Sequence, residues 1–366
     1  MDVKKTRDDI QKEALQIALA HNRSTLVISM GVGKTYIGLK YISTLNYVQK
    51  RKHNVLVVAP KKTIIQSWKD EAVKFKLSSL LDDITFSTYL SLPKQSADYD
   101  VVILDEVHNL LPSHVRFLSE LTSKTKILGL TGTAPRHKSS DRGILIQTYC
   151  PIRYEYITKD AVNDKILNDY KIVVHYLELD TKATIPVKNN SFKTSEKSNY
   201  AYWTKRLDEA TTQKSKQIAA VMRMKAMMGY YSKEDYAYKL FNQMEDKCIL
   251  FCNTQEQADR LCKKSYHSNN PDSEDNLIDF KNGVIDKLSC VLQLNEGVNI
   301  PKLKSGIIMH AYGNERKTAQ RLARLLRLNP DDVATIHILC YNNTIDRFWV
   351  DSALKDFDET KITYLN

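Results

Sequence analysis

Residues 29 to 35 and 101 to 108 hold the side chains with the clearest chemistry. Ser29-Met-Gly-Val-Gly-Lys-Thr35 follows an apolar run, Leu26-Val-Ile28, and leads into Tyr36-Ile-Gly-Leu-Lys-Tyr-Ile42. Gly31 and Gly33 let the backbone turn tightly, so amide N–H groups of Met30, Gly31, Val32 and Gly33 can face phosphate oxygens. A helix starting at that point adds partial positive charge. Lys34 is placed to reach β- and γ-phosphates, and the Thr35 hydroxyl to hold Mg²⁺. The common form of this loop has a further glycine where this chain has Ile28. In Val101-Val-Ile-Leu-Asp-Glu-Val-His108, four apolar residues end in two carboxylates. Asp105 suits holding Mg²⁺ through water, and Glu106 suits polarising an attacking water as general base. His108 can link a nucleotide site to the rest of the machinery.

Other residues gain meaning from this company. Gln11, upstream of the loop, has an amide that both donates and accepts, which suits the edge of adenine. Thr131-Gly-Thr133 (Thr131, Gly132 and Thr133) places small hydroxyls beside a glycine, able to relay hydrogen bonds. Gln320, Arg324 and Arg327 are four and three residues apart, so on a helix they share one face. Guanidinium groups fixed there can reach a γ-phosphate.

These residues need strands and helices in alternation. The spacing predicts a helix over 8–19, strands at 26–28, 53–60 and 101–104, a helix over 64–75 and a strand from 126. In an open α/β sheet, ligands bind at the carboxyl ends of strands. Pro60, Lys61 and Lys62 follow one such end and can hold a phosphodiester backbone, as can the hydroxyls of Thr88 and Tyr89. Residues 136–143 read as a polar loop. Farther on, 170–179 alternates like a strand, 180–200 is polar and reads as loop, and 201–245 reads helical. Strands follow at 248–252, 287–294, 304–312 and 334–341, with a helix over 320–328 and a C-terminal helix anchored by Phe348, Trp349 and Phe357.

The chain has 366 residues, enough for two domains, and 42% of them are apolar. Its net charge of +11, from 54 Lys and Arg against 43 Asp and Glu, points to a polyanionic partner such as nucleic acid. No apolar run is long enough to span a membrane, and residues 1–7 lack a signal core. The six cysteines form no CxxC pair, so neither a zinc site nor a disulfide framework is expected; reduced thiols fit a cytoplasmic, soluble protein. The Lys-, Asn- and Tyr-rich composition hints at an AT-rich, viral genome.

Taken in order, these stretches resemble the superfamily 2 helicases and translocases. Residues 29–35 look like motif I, Gln11 like the glutamine upstream of it, 57–62 like motif Ia and 88–89 like motif Ib. Asp105-Glu-Val-His108 is similar to motif II in its DExH form, and 131–133 to motif III. Residues 251–254, 297–301 and 320–327 resemble motifs IV, V and VI, with Ala323 where a glycine is frequent. Pro60, Trp68 and Glu71 are similar to Swi/Snf-type translocases. Residues 160–179 look more like restriction-enzyme and phage recombination helicases, which favours DNA.

The resemblance implies an α/β fold of two RecA-like domains with parallel central sheets and an ATP cleft between them. Domain one would span 1–158 and domain two 159–366, with a polar loop and helical insertion at about 181–245. It implies ATP and Mg²⁺ as cofactors, with Gly297 and Asn299 joining the nucleotide contacts and Asn253 and Asn295 the nucleic-acid path. The expected activity is an ATP-dependent DNA helicase or translocase acting on single-stranded, forked or branched DNA in replication, recombination or repair, with a protein partner supplying specificity or a wedge. The alternatives are a duplex translocase without unwinding, an RNA helicase, and a nucleic-acid-binding subunit with little turnover.

Overall fold

The computed structural model describes residues 4–29, 31–132, 139–187, 192–291, 300, 303–311, 332–355 and 357–366. They form two compact units that divide between Asn168 and Asp169. The expected boundary at 158 would cut a helix from the first unit.

The first unit alternates strand and helix. Its elements are α1 (Arg7–Ala20), β1 (Arg23–Ile28), α2 (Lys34–Gln49), β2 (Val55–Ala59), α3 (Lys62–Lys74), β3 (Ile84–Thr88), β4 (Val101–Asp105), α4 (Val115–Glu120), β5 (Lys126–Thr131), α5 (Asp141–Tyr149), β6 (Ile152–Tyr156) and α6 (Thr158–Asn163). Thr6 caps α1 in a reciprocal pair with Asp9, satisfying two otherwise orphaned groups. The strands form one parallel sheet in the order β3-β2-β4-β5-β1-β6. All five residues of β2 are buried, as are all five of β4, which explains their unbroken apolar runs: helices cover both faces. Because every strand runs the same way, Ile28, Ala59, Thr88, Asp105 and Thr131 all end at one edge of the sheet.

The second unit contains β7 (Asp169–Leu177), β8 (Ile185–Pro186), β9 (Lys193–Thr194), α7 (Glu196–Asp208), α8 (Gln213–Met228), α9 (Tyr231–Gln243), β10 (Cys248–Cys252), α10 (Gln255–Leu261), β11 (Ser265–Tyr266), α11 (Ser273–Asn282), β12 (Lys287–Val291), β13 (Ser305–Ile308), β14 (Val333–Tyr341), α12 (Ile345–Leu354) and β15 (Ile362–Leu365). Seven strands make a parallel sheet in the order β11-β12-β10-β13-β14-β7-β15, and β8 and β9 form a short antiparallel pair. Two parallel-sheet α/β units are the architecture expected of paired RecA-like domains. Among the described residues no helix is long and apolar enough to cross a membrane.

Several local expectations change. Within the polar stretch 180–200, Ile185–Pro186 pairs with Lys193–Thr194 and α7 begins at Glu196, because polar groups there serve as caps and buried partners. Ser195 caps α7, and buried Glu196 accepts from Asp180 N at 3.1 Å and from Ser232 N at 2.9 Å. Ser232 and Tyr341 share a 2.8 Å hydrogen bond, and the buried ammonium of Lys233 pairs with Asp346 of α12. This network ties α7 and α9 to the sheet. Phe348 is 65% exposed, since the inward face of α12 carries Asp346, Val350, Ala353 and Leu354. Trp349 packs beside the cluster of Met227, Tyr230 and Tyr341, and Phe357 meets Tyr170 edge-on at 5.5 Å. Residues 141–149 form a helix because Ser140 caps it, its hydroxyl accepting from Gly143 N at 3.2 Å.

Within the β7–β14 pair, His337 pairs with Val173 and His175 with Leu339, so the two histidines stand two register positions apart with their rings bonded at 2.9 Å. Burial, with His175 and Lys171 adding to it, pushes His337 down to about 4. The folded protein therefore resists a proton that the unfolded chain accepts near pH 6.5, so stability falls between about pH 6.5 and pH 4. His337→Gln is expected to flatten that fall by on the order of 2 kcal/mol in denaturant titrations across this range. An unchanged pH slope would remove His337 from the acid response.

Candidate functional site

The carboxyl edge of the first sheet gathers the residues singled out above. Beyond β1 the chain turns through Gly31 (φ +87°) and Gly33 (φ +101°), backbone that L side chains rarely adopt. The α2 helix begins at Lys34, so its first amides face the same side as the loop. Gln11 reaches over from α1, and its Nε2 donates to Val32 O at 2.6 Å. A Cβ added to Gly33 would stand 2.9 Å from that nitrogen, so a larger residue there would push Gln11 away.

The two carboxylates of 105–106 do different things. Glu106 adopts φ +49°, a left-handed conformation unusual outside glycine, which turns its side chain toward α2 and β5. Its oxygens lie 3.8 Å from Lys34 Nζ and 3.3 Å from His108 Nδ1, and Thr131 Oγ1 donates to it at 3.4 Å. His108 Nδ1 and Thr131 Oγ1 are 2.8 Å apart. Lys34, Glu106, His108 and Thr131 thus form one connected polar group.

Asp105 is only 5% exposed. Its Oδ2 accepts from Trp68 Nε1 at 2.8 Å, and its Oδ1 from Glu106 N at 3.0 Å. Burial pushes the carboxyl up to about 7, helped by the nearby Glu106 charge; the Trp68 N–H and Lys34 oppose the rise. Tyr89, expected along a nucleic-acid path, is instead 6% exposed and donates its hydroxyl to Asp105 O at 2.9 Å. It supports the carboxylate strand from inside.

Pro60, Lys61 and Lys62 stand at the same edge, both lysines exposed at the start of α3. Thr88 is half-buried, 3.4 Å from Ser91 Oγ. Thr35 is half-buried at the start of α2, and Gly132 follows β5. In the second unit, Asn253 follows β10, and its N–H donates to Gln257 Oε1 at 3.2 Å. Met30, Thr133, Asn295, Gly297, Asn299, Gln320, Arg324 and Arg327 lie outside the described residues.

Sequence reasoning missed the contact between Trp68 and Asp105. The available signal was an interior helix glycine, Gly38, which normally costs about 1 kcal/mol relative to alanine. A Cβ at Gly38 would come within 2.4 Å of Trp68 Cη2 and 3.3 Å of Leu130 Cδ1. The indole is fully buried, so Gly38→Ala is expected to destabilise by about 1–2 kcal/mol despite the better helix former. A melting temperature equal to or above wild type would show that the ring moves freely.

Residues 4–136 match the type III restriction enzyme res subunit family, and residues 232–329 match the helicase conserved C-terminal domain. The chain is 23% identical over 375 residues to the DNA 3'-5' translocase XPB2 of Sulfurisphaera tokodaii, covering 90% of this chain and 81% of that protein. It is 26% identical over 278 residues to the type I restriction enzyme EcoAI endonuclease subunit of Escherichia coli, covering 69% and 32%. Among solved structures, the ATP-dependent type ISP restriction-modification enzyme LlaBIII bound to DNA superposes with a TM-score of 0.63 at 15% identity, covering 99% of this chain and 31% of that one. The chain therefore spans about a third of the length of these last two proteins. With the restriction-enzyme res subunit match on the phosphate-loop unit and the helicase C-terminal match on the second unit, the chain belongs to the superfamily 2 helicases and translocases.

Proposed function

We propose that this protein is an ATP-dependent DNA translocase or helicase whose nucleotide chemistry is carried by the first unit. The observation that carries the reading is the meeting of Lys34, Asp105, Glu106, His108 and Thr131 at one sheet edge beside a two-glycine turn. ATP use follows from the family. The residues also fit the nucleotide: Gly31 and Gly33 take positive φ, a Cβ at Gly33 would displace Gln11 from the loop, and α2 begins there with no side-chain cap on its first amides. Among the described residues, no three His, Cys, Asp or Glu side chains stand together as a metal site. A cation would therefore draw ligands from Thr35, Asp105, water and phosphate, which is the habit of Mg²⁺.

Bound Mg·ATP would supply the phosphoryl group whose transfer to water releases the free energy for movement. The chain's own residues divide the work. Lys34 would hold β- and γ-phosphate charge, and its present neighbour Glu106 would orient and deprotonate water. Thr131 and His108 hold the Glu106 carboxylate from the other side, so the base is both aimed and coupled to the adjoining strand. Gln11 would read adenine while keeping its hold on the phosphate loop. Gln320, Arg324 and Arg327 belong to this proposal as the residues that would stabilise charge on the transferring group.

Lys61, Lys62 and Thr88, with Asn253 in the second unit, would contact the polymer backbone, giving little sequence preference. The basic net charge of +11 supports a polyanionic track. DNA is favoured over RNA by the likeness to a DNA translocase and to restriction enzymes.

Steady-state ATP hydrolysis with no polymer, single-stranded DNA, duplex DNA, forked DNA or single-stranded RNA tests the reading. DNA is expected to stimulate turnover most, and the best form identifies the working substrate; RNA-selective stimulation would contradict the DNA assignment. Lys34→Ala is expected to lower turnover by about a hundredfold or more. Glu106→Gln should bind ATP normally but hydrolyse it roughly 10²–10⁴-fold more slowly. Wild-type turnover in either variant would overturn its assigned role.

A further inference from the structure

We propose that Trp68 is a positioning residue for Asp105: its indole N–H fixes the carboxylate in the orientation that receives the nucleotide's cation. The proposal rests on the reading of Asp105 as the carboxylate that serves Mg²⁺. Asp105 ends β4, so its side chain could rotate at the open end of a strand. Two donors prevent this. Glu106 N–H holds Oδ1 at 3.0 Å, and Trp68 Nε1–H holds Oδ2 at 2.8 Å. Each oxygen keeps a further lone pair for water or a cation.

The choice of side chain matters. An indole N–H donates and cannot accept, so Trp68 neither takes a proton from a bound water nor competes for the cation. Charge assistance makes its bond to a carboxylate stronger than a neutral one. The ring itself is rigidly held. Trp68 is fully buried, and glycine at 38 lets α2 approach its edge where a methyl group would collide. Tyr89 fixes the main chain of Asp105 from another direction, through its carbonyl. Backbone and side chain of Asp105 are thus set by separate partners, and among the described residues Trp68 is the hydrogen-bond donor that reaches the carboxylate from outside its own segment. The link spans 37 positions of sequence, which is why no local motif reveals it.

The test compares the 366-residue protein with its Trp68→Phe and Asp105→Asn variants. Phenylalanine keeps aromatic packing and removes the donor. Free Mn²⁺ is followed by electron paramagnetic resonance during titration into the protein with ADP. Trp68→Phe is expected to weaken Mn²⁺ binding about tenfold, the loss expected for one hydrogen bond to a charged group. ADP affinity measured in EDTA should stay within about twofold of wild type, a split that a general packing defect would not produce. Asp105→Asn losing Mn²⁺ while Trp68→Phe binds it like wild type would overturn the positioning role and leave the reading of Asp105 standing. Mn²⁺ binding unchanged in Asp105→Asn would overturn both.

Fluorescence provides a check that does not need Trp68→Phe to fold. The chain has three tryptophans, so Trp203→Phe with Trp349→Phe leaves Trp68 as the sole tryptophan, excited selectively over the tyrosines at the red edge of the absorption band. Adding Mg²⁺ to the ADP complex of that variant is expected to change its emission, because the cation would alter the charge on the group its N–H touches. Emission unaffected by Mg²⁺, in a protein shown to bind it, would overturn the proposal.

Discussion

A carboxylate withdrawn from water must be compensated locally or it will take up a proton. Asp105 faces that constraint at the end of a central strand, where burial and the neighbouring Glu106 both favour the neutral form. The surrounding structure answers with the Trp68 indole, the Glu106 amide and the nearby Lys34 ammonium. Much else in the first unit follows. Trp68 needs space beside α2, and glycine at 38 provides it. Tyr89 must turn inward to hold the Asp105 carbonyl. Glu106 must enter left-handed backbone so that two adjacent acidic side chains part company, one toward the indole and one toward Lys34, His108 and Thr131. The two carboxylates can then serve different purposes although they are neighbours in sequence.

The parallel sheet makes this economy available. Six strands running the same way bring loops from distant parts of the chain to one edge, while their apolar bodies are covered on both faces. The second unit repeats the architecture with seven parallel strands but uses its polar residues differently. There the buried pairing of Lys233 with Asp346, together with Glu196, Ser232 and Tyr341, fastens helices to the sheet. Such a pair contributes little net stability against an apolar replacement, yet removing one partner leaves a buried charge uncompensated. Its effect is to fix which helix face meets the sheet.

The strands of both sheets were legible because burial on both faces writes unbroken apolar runs, as at 101–104 and 248–252. The phosphate loop was legible because left-handed turns call for glycine and phosphate calls for lysine. Edge strands β6 and β15 were not, since their half-exposed residues lack a continuous apolar signature. The polar segment before α7 misled because capping and buried hydrogen bonding use the same Ser, Glu and Asp residues as solvated loops. Tyr89 misled for a related reason: a hydroxyl at a strand end suits a polymer backbone and an interior carbonyl equally, and only the fold decides between them. The indole–carboxylate contact was invisible because no periodicity connects residues on different elements.

In the function proposed above, ATP turnover at this carboxylate edge drives movement along DNA. Displacement of a triplex-forming strand from duplex DNA measures movement without requiring the strands to separate. ATP-dependent displacement is expected of the wild-type protein and none of Glu106→Gln, although that variant still binds nucleotide. Rapid DNA-stimulated hydrolysis with no displacement, on triplexes flanked by either duplex or single-stranded track, would contradict it.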